Sequence, residues 1–248
     1  MQNLTISLIT VVFNAQNTIE KCLDSVVRQK FNNVQYIVID GGSTDNTISI
    51  INKYKDNVDI FITEPDNGIY DAMNKGLRLA TGDIIGTLNA DDYLADDDVL
   101  SDVAEVFAQQ NINILYGNLD FIDPNGKIVR KWRSGKYKSG MFNWGWMPPH
   151  PTFYCKRELF EGLGGYRLDY GSAADYELML RFIHANKAKV FYLNKVIIKM
   201  FIGGVSNKSL GNRVKALLFD YKAMRNNGIL FPFITVVFKP LRKIMQFF

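Results

Sequence analysis

The stretch from Glu64 to Asp92 constrains this chain more than any other part of it. Pro65-Asp66-Asn67-Gly68 reads as a turn, Ile69 to Ala80 as a helix, and Thr81-Gly82 as its stop. The run that follows, Ile84, Ile85 and Leu88 with Gly82 and Gly86, suits a strand covered on both faces, and such strands belong to parallel sheets in α/β folds. Asp91 and Asp92 stand where that strand should end. Ligands of open α/β sheets bind beyond the carboxyl ends of the strands. Two adjacent carboxylates there repel unless a cation or a hydrogen-bonding ligand compensates them, and a metal-bound anionic substrate would do so.

The flanking sequence extends the same alternation. Leu4 to Phe13 reads as a central strand and Asn14-Ala15-Gln16 as a loop; Asn17 with Glu20 forms a capping-box pattern ahead of Ile19, Cys22, Leu23, Val26 and Val27 at helical spacing. Val34 to Ile39 is a second strand, ending at Asp40-Gly41-Gly42-Ser43-Thr44-Asp45, where Ser43 or Asp45 can cap a helix through Tyr54. With Val58 to Thr63 as a third strand, the order β-α-β-α-β-α-β and right-handed crossovers predict a doubly wound parallel sheet. Its carboxyl rim would carry Asn14, Asp40 and the Asp91/Asp92 pair.

Beyond a helix over 97–109, the runs Ile112 to Ile122 and Lys127 to Trp132 flank Asp123-Pro124-Asn125-Gly126, a hairpin signal. Trp132 to His150 lacks periodicity and reads as a long loop of functional character. Thr152 to Cys155 is a strand, Arg157 to Leu163 a helix, Asp175 to Ala185 a helix, Val190 to Ile202 extended, Gly203 to Ser206 a turn, and Leu210 to Arg225 a helix.

A chain of 248 residues suits one α/β domain with additions, and its 47% apolar and 22% charged residues are an ordinary globular balance. A net charge of +4 and a pI near 8.9 fall short of a nucleic-acid-binding signature. Cys22 and Cys155 lack any metal-ligand or disulfide spacing and read as buried thiols, as in a cytosolic protein. Leu4 to Phe13 carries Thr5, Ser7 and Thr10 and has no basic residues before it, so it reads as a strand and not a signal peptide. No apolar run reaches the ~18 residues of a spanning helix, which leaves a soluble or peripherally attached chain.

Taken together, Thr10-Val11-Val12-Phe13-Asn14, Val38-Ile39-Asp40-Gly41-Gly42-Ser43-Thr44-Asp45, Glu64-Pro65-Asp66-Asn67-Gly68, Asn74-Lys75-Gly76, Thr81-Gly82-Asp83, Leu88-Asn89-Ala90-Asp91-Asp92 and Ser172-Ala173-Ala174-Asp175-Tyr176-Glu177 resemble, in order, the blocks of the inverting family 2 nucleotide-sugar glycosyltransferases. The resemblance is especially to the bacterial branch that builds cell-surface polysaccharides. The resemblance spans about Leu4 to Ile202 and implies an α/β GT-A fold: a Rossmann-like, mostly parallel central sheet flanked by helices. On this reading residues 1–225 form the transferase domain, with a nucleotide-binding half at 1–110 and an acceptor-binding half at 111–225, and 226–248 form an amphipathic basic tail.

The resemblance also implies roles. Thr10, Phe13 and Asn14 line the nucleotide, and Asp40 contacts its base. Asp91 orients the ribose, and Asp92 binds Mg2+ or Mn2+, hard cations suited to carboxylate and phosphate oxygens. Asn89 replaces the usual first aspartate of this motif. Asp175 is the general base that takes the acceptor proton during in-line attack; it also stands where it could cap the following helix. The glutamate that usually precedes it is Ala174 here. His150 could bind phosphate or an acceptor hydroxyl or be a structural residue, and Trp144 and Trp146 could stack on a sugar or cover the core. Met73 stands where many relatives carry Arg, so diphosphate neutralisation falls to Lys75, Arg78 or the basic C-terminal region.

The activity so implied is transfer of a hexosyl or N-acetylhexosaminyl group from a nucleoside-diphosphate sugar, UDP foremost, to a glycan or polyprenyl-diphosphate-linked acceptor. A sugar nucleotidyltransferase would need a Gly- and Arg-rich loop after the first strand, and Thr10 to Gln16 has no Gly, Lys or Arg. A non-catalytic sugar-binding protein on the same fold could dispense with Asp92 and Asp175. The tail at 229–248, with Lys239, Arg242 and Lys243 and no acids, suits an interfacial anchor on anionic lipid, placing the protein in the cytoplasm at the inner face of the membrane, or else a segment folded onto the domain or a partner subunit.

Overall fold

Ile6–Val12 forms β1, and all seven of its residues are buried. Burial on both faces requires partners on both edges and layers above and below. The computed structural model describes residues 4–202 and 210–244. After β1 come α1 (Ile19–Val27), β2 (Val34–Asp40), α2 (Thr47–Asn52), β3 (Ile60–Thr63), α3 (Ile69–Leu79) and β4 (Ile84–Asn89). β1 pairs in parallel with β2 on one side and β4 on the other, and β2 with β3. The sheet therefore begins as the expected parallel β3-β2-β1-β4 unit.

The two faces of β1 separate by parity, as the pleat requires. Ile9 and Val11 enter a core shared with Ala72 and Met73 of α3, whereas Ile6, Leu8 and Val12 enter a core shared with Ile19, Cys22 and Leu23 of α1. Thr10 has the same parity as the second set.

The second half adds β5 (Asp92–Leu94), α4 (Val99–Gln109), β6 (Ile114–Ile122), β7 (Ile128–Trp132), β8 (Tyr154–Lys156), α5 (Arg157–Leu163), α6 (Ala174–Met179), β9 (Val190–Phe201), α7 (Leu210–Asn226) and α8 (Pro232–Ile244). β8 lies antiparallel between β4 and β6, β9 runs parallel to β6, and β5 closes antiparallel on β9. The sheet is thus mixed beyond β4. The Asp123 to Gly126 turn joins β6 and β7 as the expected antiparallel hairpin, with Gly126 in the left-handed region at φ 82°.

Several local expectations give way. Thr18, not Asn17, is the N-cap of α1, and no side chain caps it. Asp45 accepts the Thr47 amide at 2.9 Å, whereas Ser43 is bound to Asp40. The long loop before β8 contains 3-10 turns at Met141–Trp144 and His150–Thr152. The helix expected over 175–185 is α6 continued by a π-helical turn, Leu180–Ala185, a form that recurs near functional sites. The turn expected at 203–206 lies outside the described residues.

One buried ion pair holds this region. Glu177 and Arg181, both buried, meet at 3.0 Å, and the Arg181 guanidinium also donates to the carbonyls of Leu163, Gly164 and Gly165. Removing one member of such a pair leaves an uncompensated buried charge and costs about 3–5 kcal/mol.

Close backbone approach fixes β4 against β1. A Cβ on Gly82 would lie 2.6 Å from the Ser7 amide nitrogen and 2.9 Å from the Thr5 carbonyl oxygen, backbone atoms with no rotamer to yield. Gly82→Ala is therefore expected to destabilise by about 1–3 kcal/mol, lowering the melting temperature by several degrees in thermal unfolding.

Candidate active site

The carboxyl ends of β1, β2, β3 and β4 share one rim, and the loops there are laced together. Asn14 takes a left-handed backbone at φ 48°, a conformation Asn tolerates better than most residues. Its amide donates to Ser43 Oγ at 2.8 Å, and its side-chain oxygen accepts the Thr44 amide at 2.8 Å. The Ala15 amide donates to Thr47 Oγ1, the Gln16 amide to Asp45, and the Asn46 amide to Gln16. Phe13 projects from this loop and is exposed.

Asp40 is wholly buried beneath it. One carboxylate oxygen accepts from the Gly42 amide (3.1 Å), the Ser43 amide (3.0 Å) and the Thr63 hydroxyl (2.6 Å); the other accepts from the Ser43 hydroxyl at 2.5 Å. Its acceptor capacity is spent on shaping the turn, so direct reading of a base is not its role in this conformation. The carboxylate open at the same place is half-buried Asp66, lying against Gly41, whose missing Cβ leaves room for it, with the Phe13 ring alongside. In the sequence Asp66 stands only as a residue of the Asp-Asn-Gly turn. Thr10 is corrected as well. Its hydroxyl is buried on the α1 side, 3.0 Å from the Tyr36 hydroxyl, and cannot reach a ligand on the rim.

At the end of β4 the two aspartates diverge. Asp92 enters β5 opposite Met200 and is only 1% exposed, whereas Asp91 remains half-buried. Burial, and then the Asp91 charge, holds the Asp92 carboxyl well above the usual carboxylate range; burial raises Asp91 as well. Asn89 donates through Nδ2 to one Asp92 oxygen at 2.9 Å, a bond an aspartate at that position could not make while charged. The other Asp92 oxygen and the Asn89 Oδ1 are both buried without a partner. Two orphaned oxygen acceptors beside a half-buried carboxylate fit a small hard cation. Among the described residues no group of three His, Cys, Asp or Glu side chains is placed to hold a metal alone; Mg2+ sites commonly draw only one or two carboxylates from the protein and the rest from water and phosphate.

Asp175 lies in the first turn of α6, but the N-cap is Ala173 and no side chain caps the helix, so the capping alternative falls away. Its Oδ1 accepts the Tyr176 amide at 2.7 Å. Burial first, and then the nearby Asp175 charge, hold the pKa of Tyr70, in the first turn of α3, well above the ordinary value. The Tyr70 ring stacks on Tyr166 at 5.5 Å, and the Tyr166 hydroxyl meets His150 Nε2 at 2.8 Å. Burial lowers the His150 pKa, with the Asp175 charge opposing. His150 is thus a buried link in the wall behind Asp175, the structural alternative with a site attached. Nothing in the sequence singled out Tyr70 or Tyr166.

Other candidates are dispersed. Lys75 reaches the rim but is engaged with Glu64 and the Pro65 carbonyl, both at 2.8 Å. Arg78 lies in the last turn of α3, in a cavity of about 520 Å3 shared with Ile85, Arg157 and Glu161. Ile85 is the second residue of β4, at its amino end, so Arg78 sits toward the opposite rim and is set aside as a diphosphate ligand. Trp146 is 3% exposed, ringed by Tyr116, Tyr137 and Phe142, with its indole N–H on the Ser134 carbonyl; it covers the core and offers no face to a sugar. Trp144 is 60% exposed and meets Phe238 of α8 edge-on.

Comparison with known proteins agrees with this architecture. The model of the family described as glycosyl transferase family 2 matches residues 7–166. A PGL/p-HBAD biosynthesis glycosyltransferase of Mycobacterium bovis is 31% identical over 207 residues, covering 81% of this chain and 78% of that one. Among solved structures, the mannosyltransferase PcManGT from Pyrobaculum calidifontis, in complex with GDP-Man and Mn2+, superposes with a TM-score of 0.68 at 19% identity, covering 96% of this chain and 72% of that one. S. aureus TarS 1–349 in complex with UDP-GlcNAc gives 0.67 at 18% identity, covering 90% and 67%. The chain belongs to glycosyl transferase family 2 and is a glycosyltransferase of the GT-A fold.

Proposed function

We propose that the chain transfers a hexosyl or N-acetylhexosaminyl group, with inversion, from a nucleoside-diphosphate sugar to a hydroxyl of a glycan or polyprenyl-diphosphate-linked acceptor. The observation that carries this reading is the pair of buried, unpartnered oxygens, Asn89 Oδ1 and one Asp92 carboxylate oxygen, beside half-buried Asp91 at the end of β4. α3 starts at the turn that follows β3, so a residue of its first turn stands at the carboxyl rim of the sheet. Burial first and the Asp175 charge second raise the pKa of Tyr70 in that turn, which supports reading Asp175 as near the rim that carries Asp66 and Asp91. UDP is the favoured nucleotide, in line with the UDP-GlcNAc bound by TarS.

In this reading the nucleotide lies over Phe13, Asn14 and Gly41, on the floor that Asp40 shapes, with Asp66 as the carboxylate open to the base. Asp91 orients the ribose. Asp92, the Asn89 carbonyl oxygen and Asp91 would hold Mg2+ or Mn2+, which when bound neutralises charge on the departing diphosphate; the Mn2+ of PcManGT supports a divalent ion. Asp175 takes the proton of the acceptor hydroxyl as its oxygen bonds the anomeric carbon and the bond to the diphosphate breaks. Lys75 lies close enough to the rim to answer the diphosphate charge on leaving Glu64. Asp175→Asn is expected to lower turnover by about 10²–10⁴-fold with little change in donor affinity, measured as nucleoside diphosphate release from a nucleotide-sugar panel. Turnover equal to the parent would reject the base assignment. Chelation of divalent ions should abolish release and added Mn2+ or Mg2+ restore it; release unaffected by chelator would reject the cofactor.

The acceptor class also bears on location, which we place at the inner face of the membrane. No described helix is long and apolar enough to cross one. α8 is amphipathic in the inverse sense. Its inner face carries Thr235, donating to the Asn143 carbonyl at 2.6 Å, and Lys239, paired with Asp220 at 2.5 Å and 3.6 Å above the Tyr176 ring. Lys239 is therefore unavailable to lipid, contrary to expectation. The outer face exposes Phe233, Ile234, Val237 and Leu241, continuous in sequence with exposed Leu230 and Phe231, with Trp144 at its edge. Contiguous apolar exposure of this kind marks an interaction surface. From Phe201 onward the sole acid is Asp220, taken up by Lys239, while Arg225 and Arg242 stay exposed, a balance that favours anionic lipid. Joint substitution of Phe233→Glu and Val237→Glu should abolish co-flotation with phosphatidylglycerol vesicles and leave nucleoside diphosphate release in solution unchanged. Unaltered flotation would remove this surface from consideration.

A further inference from the structure

Residues 127–138 carry six cations, Lys127, Arg130, Lys131, Arg133, Lys136 and Lys138, and no acid. The acids just before them are already engaged. Asp120, 4% exposed, is answered by Arg133 at 2.6 Å, and Asp123 accepts the Asn125 and Lys127 amides inside its turn. Lys131, Lys136 and Lys138 are exposed and, among the described residues, in no ion pair. Cations gathered on one short segment repel one another, and an anionic ligand relieves that cost.

The pleat decides which face of the sheet they occupy. Lys131 stands directly opposite Asp120 in the β6–β7 ladder, and residues so paired share a face. By parity that is also the face of Tyr116 and Asn118, and Tyr116 lies in one core with Phe142 and Tyr176. Leu119 and Trp132 point the other way, into the core of α1. After β7 the chain doubles back over the first face as a strap. The Ser134 amide donates to Asn118 Oδ1 at 3.1 Å, the Tyr137 amide to the Tyr116 hydroxyl at 2.7 Å, and that hydroxyl to the Gly135 carbonyl at 2.9 Å. Just beyond, Phe142 packs on Tyr176, the residue after Asp175, and Trp144 meets Phe238 of α8. The strap thus leads from the lysines both to the helix that carries Asp175 and to the exposed apolar residues of α8.

We propose that Lys131, Lys136 and Lys138 form a site for the diphosphate of a lipid-linked acceptor, whose prenyl chain runs toward the apolar face of α8. A neutral glycan gives no reason for unanswered cations; a ligand anionic at one end and apolar beyond it matches both surfaces. Ammonium groups act on phosphate as point charges on flexible stems. The backbone that carries them is already fixed by the strap's own bonds, so little order has to be imposed on binding. A phospholipid headgroup presents the same chemistry, but the strap lies on the sheet face that packs against α6, which favours a substrate phosphate near the base over a bilayer contact.

This inference rests on the lipid-linked reading of the acceptor, and binding is measured apart from transfer. Geranyl diphosphate is titrated by calorimetry into the full chain, with UDP and Mg2+ present to occupy the donor end and geraniol as the uncharged control. The parent is expected to bind geranyl diphosphate and not geraniol, more weakly as salt is raised. Joint substitution of Lys131→Gln, Lys136→Gln and Lys138→Gln should weaken binding about 10- to 100-fold, the scale of two or three charge-assisted contacts at an exposed site. Melting temperature and flotation on phosphatidylglycerol vesicles should stay unchanged. A parent that does not bind geranyl diphosphate, a triple variant that binds it as the parent does, or one that loses vesicle flotation would overturn the site, the last by assigning these lysines to phospholipid. Parental turnover in Asp175→Asn, with lysine-dependent diphosphate binding intact, would overturn the transfer reading instead.

Discussion

Parallel pairing of β1 with β2 and β4, under cover on both faces, is the constraint from which the rest of the molecule follows. A strand buried above and below must be reached by crossovers, and each crossover returns the chain to the same end of the sheet before the next strand. Every strand-to-helix loop of this half therefore opens at one rim. Asn14, Asp40, Asp66 and Asp91 become neighbours without any of them having been adjacent in sequence. Later strands extend the sheet with mixed polarity, but they do so beside β4, which keeps the second half of the chain next to that strand.

Where the sequence was informative, it was so through period and punctuation. The apolar run of β4, the Asn-Gly turn of the β6–β7 hairpin and the Gly-Gly stop after α5 all announce themselves locally. What escaped it depends on distant partners. β5 has three residues and exists because β9, over a hundred residues later, pairs with it; that pairing is also what buries Asp92 and separates it from Asp91. Trp144 and Trp146 are two residues apart, yet a left-handed glycine between them turns one outward and the other into the core. Lys75 and Arg78 differ by less than a turn of α3, and the helix rises about 1.5 Å per residue away from the rim, so only Lys75 stays near it.

Substitutions that look like departures from a family pattern become legible once their contacts are known. Asn89 places an N–H donor against a buried carboxylate, where a third aspartate would add repulsion. Lys239 shows the reverse case. A residue with the composition of a lipid contact is drawn inward by a single acid and an aromatic face, because α8 continues past Pro240 instead of breaking there.

The laced loops at the ends of β1 and β2 carry a thermodynamic consequence. Five backbone amides, those of Asn14, Ala15, Gln16, Thr44 and Asn46, are each answered by a side chain from the opposite loop. The two segments cannot fluctuate independently, so most of the conformational entropy that a ligand would otherwise have to remove is already lost when the chain folds. On the proposed reading, a planar base settling beside Phe13 would meet a surface that is ordered before it arrives, and discrimination at this end of the donor would come from fit to a fixed shape.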